Sequence, residues 1–349
     1  MKTVSDKSGN RLGRRRFLAS TSALGAASFL GLPRPAGAEP PPEIRKIRLA
    51  SAPVICTAPQ FLAEELLHLE GFSEVEYVSV DESGINLLGE GRVDMTMWNV
   101  PSLLPALDAG DPIVILAGIH PGCWELFGNE RVRAIRDLKG KNIAMYGYVD
   151  GESVVFLDVD YTLVASMLAY VGINPQKDVN WVLGSSYDDA MQLFVDGKAD
   201  AYMAPPPRPQ ELRARKIGHV IVNGTQDRPW SQYYCCVLTA NRQFVARYPV
   251  ATKRAVRAFL KATDICAQDP ERAARYLAAK SYEPRYELGL EVLNSVPFNR
   301  WREVHPEDTV RFFALRLQEA GIIKSTPQKI IARGTDWRFL NELKKELKA

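Results

Sequence analysis

The chain has 349 residues, with 44 Lys or Arg against 41 Asp or Glu and a formal net charge of +3. Seven of those bases but one of the acids fall in the first 38 residues, so the remaining 311 carry 37 basic and 40 acidic residues, a net of −3. That balance offers no bulk attraction to nucleic acid or anionic lipid, no later apolar run approaches the ~20 residues that cross a bilayer, and the length suits two ordinary domains.

The first predicted element is an export signal at residues 1–38. A basic stretch precedes an apolar segment from Phe17 to Leu32, and Ala36-Gly37-Ala38 forms a small-residue cleavage site. Within it, Arg14 and Arg15, followed by Arg16-Phe17-Leu18, match the twin-arginine pattern that addresses folded chains for bacterial export. An organelle transit peptide shares the Arg- and Ser-rich composition. It lacks consecutive arginines ahead of an apolar core and an A-x-A site. With no cysteine at the cleavage site to take a lipid, a soluble periplasmic protein is expected.

Beyond Pro40-Pro41-Pro42 the pattern alternates between short apolar runs and helical spacing. Ile47 to Ala50 reads as a strand, and Pro59 opens a helix with Phe61, Leu62, Leu66 and Leu69 on one face and Gly71 as its stop. A strand from Glu76 to Val80, a short helix from Ser83-Gly84 to about Gly91, and a strand from Val93 to Trp98 follow. Then come a helix from Ser102 to Ala109 and a strand from Ile113 to Ile119. This succession is the signature of a mostly parallel sheet wrapped by helices.

The series then restarts. Strands are predicted from Asn142 to Tyr146, Val179 to Leu183 and Ala199 to Met203, and helices from about Asp160 to Val171 and from Ala190 to Val195. The second helix is preceded by the capping-box pattern Ser186-Tyr187-Asp188-Asp189. Two stretches match at a constant offset of 106 residues: Leu87 over Leu193, Gly91 over Gly197, Asp94 over Asp200, Met97 over Met203 and Pro101 over Pro207. Solenoid periods run roughly 20 to 50 residues, so the repeated unit is the size of a domain. In each copy a helix stops at a glycine and a strand then carries its carboxyl end to a proline-marked loop. Ligands bind beyond such strand ends in open parallel sheets, so two facing sheets would form a cleft. From Pro249 onward the chain reads as mainly helical.

Five cysteines, Cys56, Cys123, Cys235, Cys236 and Cys266, show no spacing for zinc. Adjacent Cys235 and Cys236 would point to opposite faces of a strand. Buried free thiols are expected, with one disulfide through Cys56 or Cys123 as the alternative. No metal and no cofactor is expected. His68, His219 and His305 read as ordinary surface residues.

With these elements in place, the chain resembles the substrate-binding proteins of bacterial ABC importers in the nitrate, sulfonate and taurine class. The resemblance is carried by Ala58-Pro59-Gln60-Phe61-Leu62-Ala63-Glu64, by Gly91 to Asp94, by Asp137-Leu138-Lys139-Gly140-Lys141, by Gly197-Lys198-Ala199-Asp200, and by Tyr234-Cys235-Cys236-Val237-Leu238 with Asn241 and Phe244. It implies an α/β fold of the two-lobe periplasmic binding protein type (type II), with two crossover strands and a helical C-terminal tail. The first lobe would comprise residues 43–122 and 228–349 and the second 123–227. It also implies a monomer that closes on a small molecule and delivers it to ABC permease subunits without catalysis.

By position, that fold points to Thr57, Pro59, Gln60, Ser83, Gly84, Trp98 and Asn99 in the first lobe. His120 and Trp124 lie at the crossover, and Tyr148, Glu152, Ser153, Ser185, Ser186, Tyr187 and Pro205 lie in the second lobe. Helix starts near Pro59, Ser83 and Ser186 suit an anionic head group, the aromatics suit an organic body, and Arg208 is the only basic residue in these loops. A small organic acid or sulfonate is the expected ligand. The acidic stretch from Tyr148 to Val159 departs from the tight Gly-Ser loop of relatives, and Glu152 leaves a cationic ligand open. Trp98, Trp124 and His120 are also readable as core residues. The competing class is an enzyme of the same superfamily, the pyridoxal-phosphate-using thiamine-pyrimidine synthase, whose cysteine cluster is denser and which is not exported.

Overall fold

A computed structural model describes residues 39–51, 54–80, 85–150, 153–156 and 160–347. The leader, with Arg14 and Arg15, lies outside the described residues, as do Ser83, Gly84 and Glu152. The chain first lays down β1 (Lys46–Ser51), α1 (Ala58–Leu69), β2 (Glu74–Ser79), α2 (Asn86–Gly89), β3 (Met95–Asn99), α3 (Val100–Ala109) and β4 (Ile113–Pro121). It continues with β5 (Glu125–Gly128), β6 (Asn142–Asp150), β7 (Ser153–Phe156), α4 (Tyr161–Tyr170), β8 (Asn180–Gly184), α5 (Tyr187–Val195), β9 (Ala201–Ala204), α6 (Arg208–Ala214) and β10 (His219–Asn223). The last part is β11 (Tyr234–Asn241), α7 (Arg242–Arg247), α8 (Pro249–Gln268), α9 (Pro270–Ala279), α10 (Tyr286–Ser295), α11 (Pro306–Glu319), α12 (Pro327–Gly334) and α13 (Arg338–Glu346).

These strands form two sheets, each with helices against it. The first runs β2-β1-β3-β11-β4, parallel except for β11, which is antiparallel to both neighbours. The second runs β10-β5-β9-β6-β7, with β8 parallel to β6. Here β6, β8 and β9 run together, while β5 and β7 oppose them. Every residue of β3, β4 and β11 is buried, as expected of strands covered on both faces. Helices of the C-terminal third cover the first sheet, with α8 packed on α1 and α12 and α13 on β4. Among the described residues, no helix is long and apolar enough to cross a membrane.

The internal repeat has the same physical cause in both halves. Gly91 and Gly197 each adopt φ 71°, a left-handed conformation that glycine reaches without a Cβ penalty. The Arg92 N–H donates to the Leu87 carbonyl at 2.9 Å, and the Lys198 N–H donates to the Leu193 carbonyl at 2.9 Å. Three residues after each glycine an aspartate clamps the neighbouring strand. Asp94 donates its N–H to the Arg48 carbonyl (2.8 Å), while its carboxylate accepts the Arg48 N–H (2.8 Å) and guanidinium Nη2 (2.6 Å). Asp200 repeats this on Asn142, donating to its carbonyl (2.7 Å) and accepting its N–H (3.0 Å). It also accepts from Asn129 Nδ2 (2.9 Å) and the Arg131 guanidinium.

The longer segment after Tyr148 includes an antiparallel strand pair, with Tyr148 opposite Val155 and Asp150 opposite Ser153. One expectation needs correction. Cys235 and Cys236 do not present their sulfurs to opposite faces: the β4–β11 register shifts on both sides of Cys236, and the two Sγ atoms lie 3.9 Å apart. An irregularity of this kind re-aims side chains out of strict alternation.

Candidate functional site

Register alone brings the carboxyl edges of the two sheets together. β4 ends at Pro121, which pairs with Tyr234 at the start of β11, and only Gly122, Cys123 and Trp124 separate it from β5. The first residue of β5, Glu125, pairs with Ala204 at the carboxyl end of β9. The chain therefore leaves one sheet at its carboxyl edge and enters the other at its own.

On the first edge, Thr57 is buried and its hydroxyl donates to the Val54 carbonyl at 2.6 Å. Pro59 sits in the first turn of α1. Gln60 is 1% exposed, and both ends of its amide serve the fold: Nε2 donates to the Ala50 carbonyl, and Oε1 accepts from the Met97 N–H at 2.7 Å. Asn99 caps α3 by accepting the Ser102 N–H at 3.0 Å. Trp98, at the end of β3, is buried with an indole N–H that has no hydrogen-bond partner among the described residues. An unpaired buried donor is costly.

On the second edge, Ser186 caps α5 by accepting the Asp189 N–H at 3.0 Å. The Tyr187 ring lies 5.2 Å from that of Tyr146, with the Arg208 guanidinium 4.9 Å from its centroid. Arg208 also donates to Asp188 from Nη2 at 2.8 Å. Pro205 is buried just ahead of a cis Pro206–Pro207 bond. The residues after this bond form α6. Tyr148 is 42% exposed on the hairpin strand, and Ser153 lies on the opposite strand.

At the crossover, Trp124 is buried edge-on to Trp230, with ring centroids 6.3 Å apart. His120 is fully buried edge-on to Phe298, 5.2 Å away. The lobes also touch beside this crossing. α11 packs on α4, and Arg285 pairs with Glu211 at 2.7 Å. A cavity of about 410 Å³ lined by Tyr170, Asn174, Arg316 and Glu319 lies at the α4–α11 contact and includes none of the residues singled out above.

A family model described as the NMT1-like family matches residues 41–281. The chain belongs to the NMT1-like family. Among curated proteins, none matches it by sequence. In structure, this NMT1-like chain is similar to the alkanesulfonate-binding protein SsuA from Xanthomonas axonopodis pv. citri bound to MOPS. The TM-score is 0.65 at 16% identity, covering 86% of this chain and 99% of that one. It is equally similar to the periplasmic nitrate-binding protein NrtA from Synechocystis PCC 6803, with a TM-score of 0.65 at 15% identity over 88% and 90% of the two chains. The desulfurization enzyme DSZB also shares the fold, with a TM-score of 0.57 at 16% identity over 86% and 99%. The fold is that of the periplasmic binding proteins, and it carries both receptors and at least one enzyme.

The NMT1-like chain holds one group that spacing along the sequence missed. Among the described residues, Cys56, His120 and Cys123 each offer a ligand atom, and these atoms lie within 4.8 Å of one another. Cys123 Sγ is 3.3 Å from Cys235 Sγ, and all five cysteines are free thiols. Hydrogen bonds from Cys123 and Cys236 draw the Cys235 thiol down to about 7, against the effect of burial. Cys266, isolated in α8, is pushed up by burial. The separations of 64 and 112 residues carry no local signal, whereas the H-x-x-C spacing of His120 and Cys123 does; the remaining members join because β4 and β11 are paired beside the start of α1.

Proposed function

We propose that this chain is an exported solute receptor that binds a small organic acid or sulfonate between two closing lobes and presents it to an ABC permease in the periplasm. In this reading the first lobe comprises residues 43–122 and 228–349, the second comprises 123–227, and residues 1–38 are a twin-arginine signal. The observation that carries it is the opposition of two carboxyl sheet edges across a three-residue link, with the Trp98 N–H on one side and the Tyr187–Arg208 pair on the other. The indole N–H would donate to an anionic oxygen, the guanidinium would complete the charge pairing, and the tyrosine faces would take the organic body. The binding proteins named above are an alkanesulfonate-binding and a nitrate-binding protein, which supports an anionic ligand for this chain too.

The mechanism is differential binding. Ligand meets one lobe first, closure adds contacts from the other, and the population shifts by as much as the ligand prefers the closed state. A melting-shift screen of alkanesulfonates (MOPS included), aromatic carboxylates and amines tests this. A ligand at 100-fold excess over its Kd should add ~2.7 kcal/mol of stability and be recovered unchanged. Should every stabilising compound be consumed, the enzyme alternative replaces the receptor.

A further inference from the structure

We propose that Cys56, His120 and Cys123, with Cys235 in the fourth position, form a zinc(II) site at the crossing between the lobes. Two thiolates bound about 2.3 Å from a tetrahedral zinc lie about 3.8 Å apart. The ligand atoms of Cys56, His120 and Cys123 all lie within 4.8 Å of one another, a limit that admits that spacing, and Cys235 adjoins the group through Cys123, 3.3 Å away, from where side-chain rotation would bring it to the fourth position.

The imidazole supplies an independent sign. His120 Nδ1 lies 2.9 Å from the Gly122 carbonyl, so it carries the proton and donates it there, while Nε2 is buried with no hydrogen-bond partner among the described residues. A carbonyl that fixes one ring nitrogen as donor and leaves the other as a bare lone pair is the arrangement that orients metal-binding histidines. Buried polar atoms are otherwise hydrogen-bonded. Three sulfurs and one imidazole favour a soft or borderline ion over magnesium or calcium. The ligands bind as thiolates, so loading transfers the thiol protons to solvent with no change of oxidation state. Cys123 lies in the link that leaves the first lobe, and Cys235 near the start of the returning strand β11. An ion held by both would tie the outgoing and returning chains together at the hinge.

The test uses the chain, reduced and stripped with a chelator, then titrated with zinc against a chromophoric competitor and separately with cobalt(II). One equivalent of zinc, a cobalt spectrum with thiolate charge transfer and tetrahedral ligand-field bands, and a rise in melting temperature reversed by chelator are expected. Cys56→Ser, His120→Gln and Cys123→Ser should each lower affinity by about 100-fold or more, while Cys266→Ser keeps one equivalent. Because the His120 site is fully buried, the cobalt spectrum of the unmodified chain decides the matter if a variant does not fold. No stoichiometric uptake, a cobalt spectrum without sulfur charge transfer, or unchanged affinity in folded Cys56→Ser would overturn the site. So would a Cys123–Cys235 disulfide in the isolated chain whose reduction yields no metal uptake. The site rests on no assumption about the solute, and the sulfonate melting shift measured on Cys56→Ser reports the receptor separately.

Discussion

Replacing the duplicated aspartates should cost stability in proportion to what each carboxylate holds. Asp94→Ala removes the acceptor for the Arg48 N–H (2.8 Å) and for two guanidinium nitrogens, Nη2 at 2.6 Å and Nε at 3.2 Å. Breaking a buried pair by deleting one partner costs about 3–5 kcal/mol. The Arg48 side chain is 35% exposed, so water recovers part of this and about 3 kcal/mol is expected. Asp200→Ala loses the Asn142 N–H and Asn129 bonds, but its Arg131 partner is 65% exposed and contributes little; about 2 kcal/mol is expected. Urea unfolding followed by far-ultraviolet circular dichroism gives both values. The double variant should equal their sum within about 0.5 kcal/mol, because the clamps share no partner. Losses below about 0.5 kcal/mol in both single variants would refute the clamp as the reason for the repeat.

Four further outcomes follow from the geometry. Arg208→Gln should weaken binding of an anionic ligand about tenfold in calorimetry, the size of one charge-assisted hydrogen bond, and leave the melting temperature of the ligand-free protein within about 1 °C; an unchanged Kd removes Arg208 from the site. Glu211→Ala breaks the half-exposed interlobe pair with Arg285, leaving Arg285 on Glu283, and should raise Kd only about two- to fivefold, within the range for such pairs. In Gly118→Ala the added Cβ would run into the Tyr234 ring, whose hydroxyl is held by the Trp301 carbonyl at 2.6 Å and the Val304 carbonyl at 2.8 Å. Overpacking of about 1–3 kcal/mol should appear in thermal unfolding, and a neutral result would mean that the ring has room to move. Finally, burial alone would raise the Asp200 carboxyl, but the Asn142 N–H, Asn129 and Arg131 together hold it below 3.8. A depressed folded value means that its contribution is present above the unfolded pKa and is lost as pH falls through the folded one. The stability gap between wild type and Asp200→Asn should therefore shrink below about pH 4, and a gap constant down to pH 2 would contradict this.

What could be read from the chain alone were features with local causes. The glycine stops at Gly91 and Gly197, the cap at Ser186 and the first-turn proline Pro59 follow from backbone demands within a few residues. They placed most of the helices and parallel strands correctly. β5, β7, β10 and α6 went unread because short strands depend on partners far away, as Glu125 does on Ala204, and the run of prolines masked the start of α6. At the candidate site, positional reasoning could not distinguish Gln60, whose amide is engaged with backbone, from Trp98, whose N–H has no partner among the described residues. Of the Cys56–His120–Cys123 group only the His120–Cys123 spacing is local; Cys56, like β5, meets its partners through tertiary pairing.

The position of β11 bears on how the protein is made. It lies between β3 and β4 at the heart of the first sheet, yet it is translated after every strand of the second. On the ribosome, residues 46–121 would have to wait unsealed, with a slot where β11 belongs, while residues 125–223 emerge and can complete their own sheet. The part of the molecule begun first is finished last, and a chain arrested before residue 234 should carry one protease-resistant half and one exposed half.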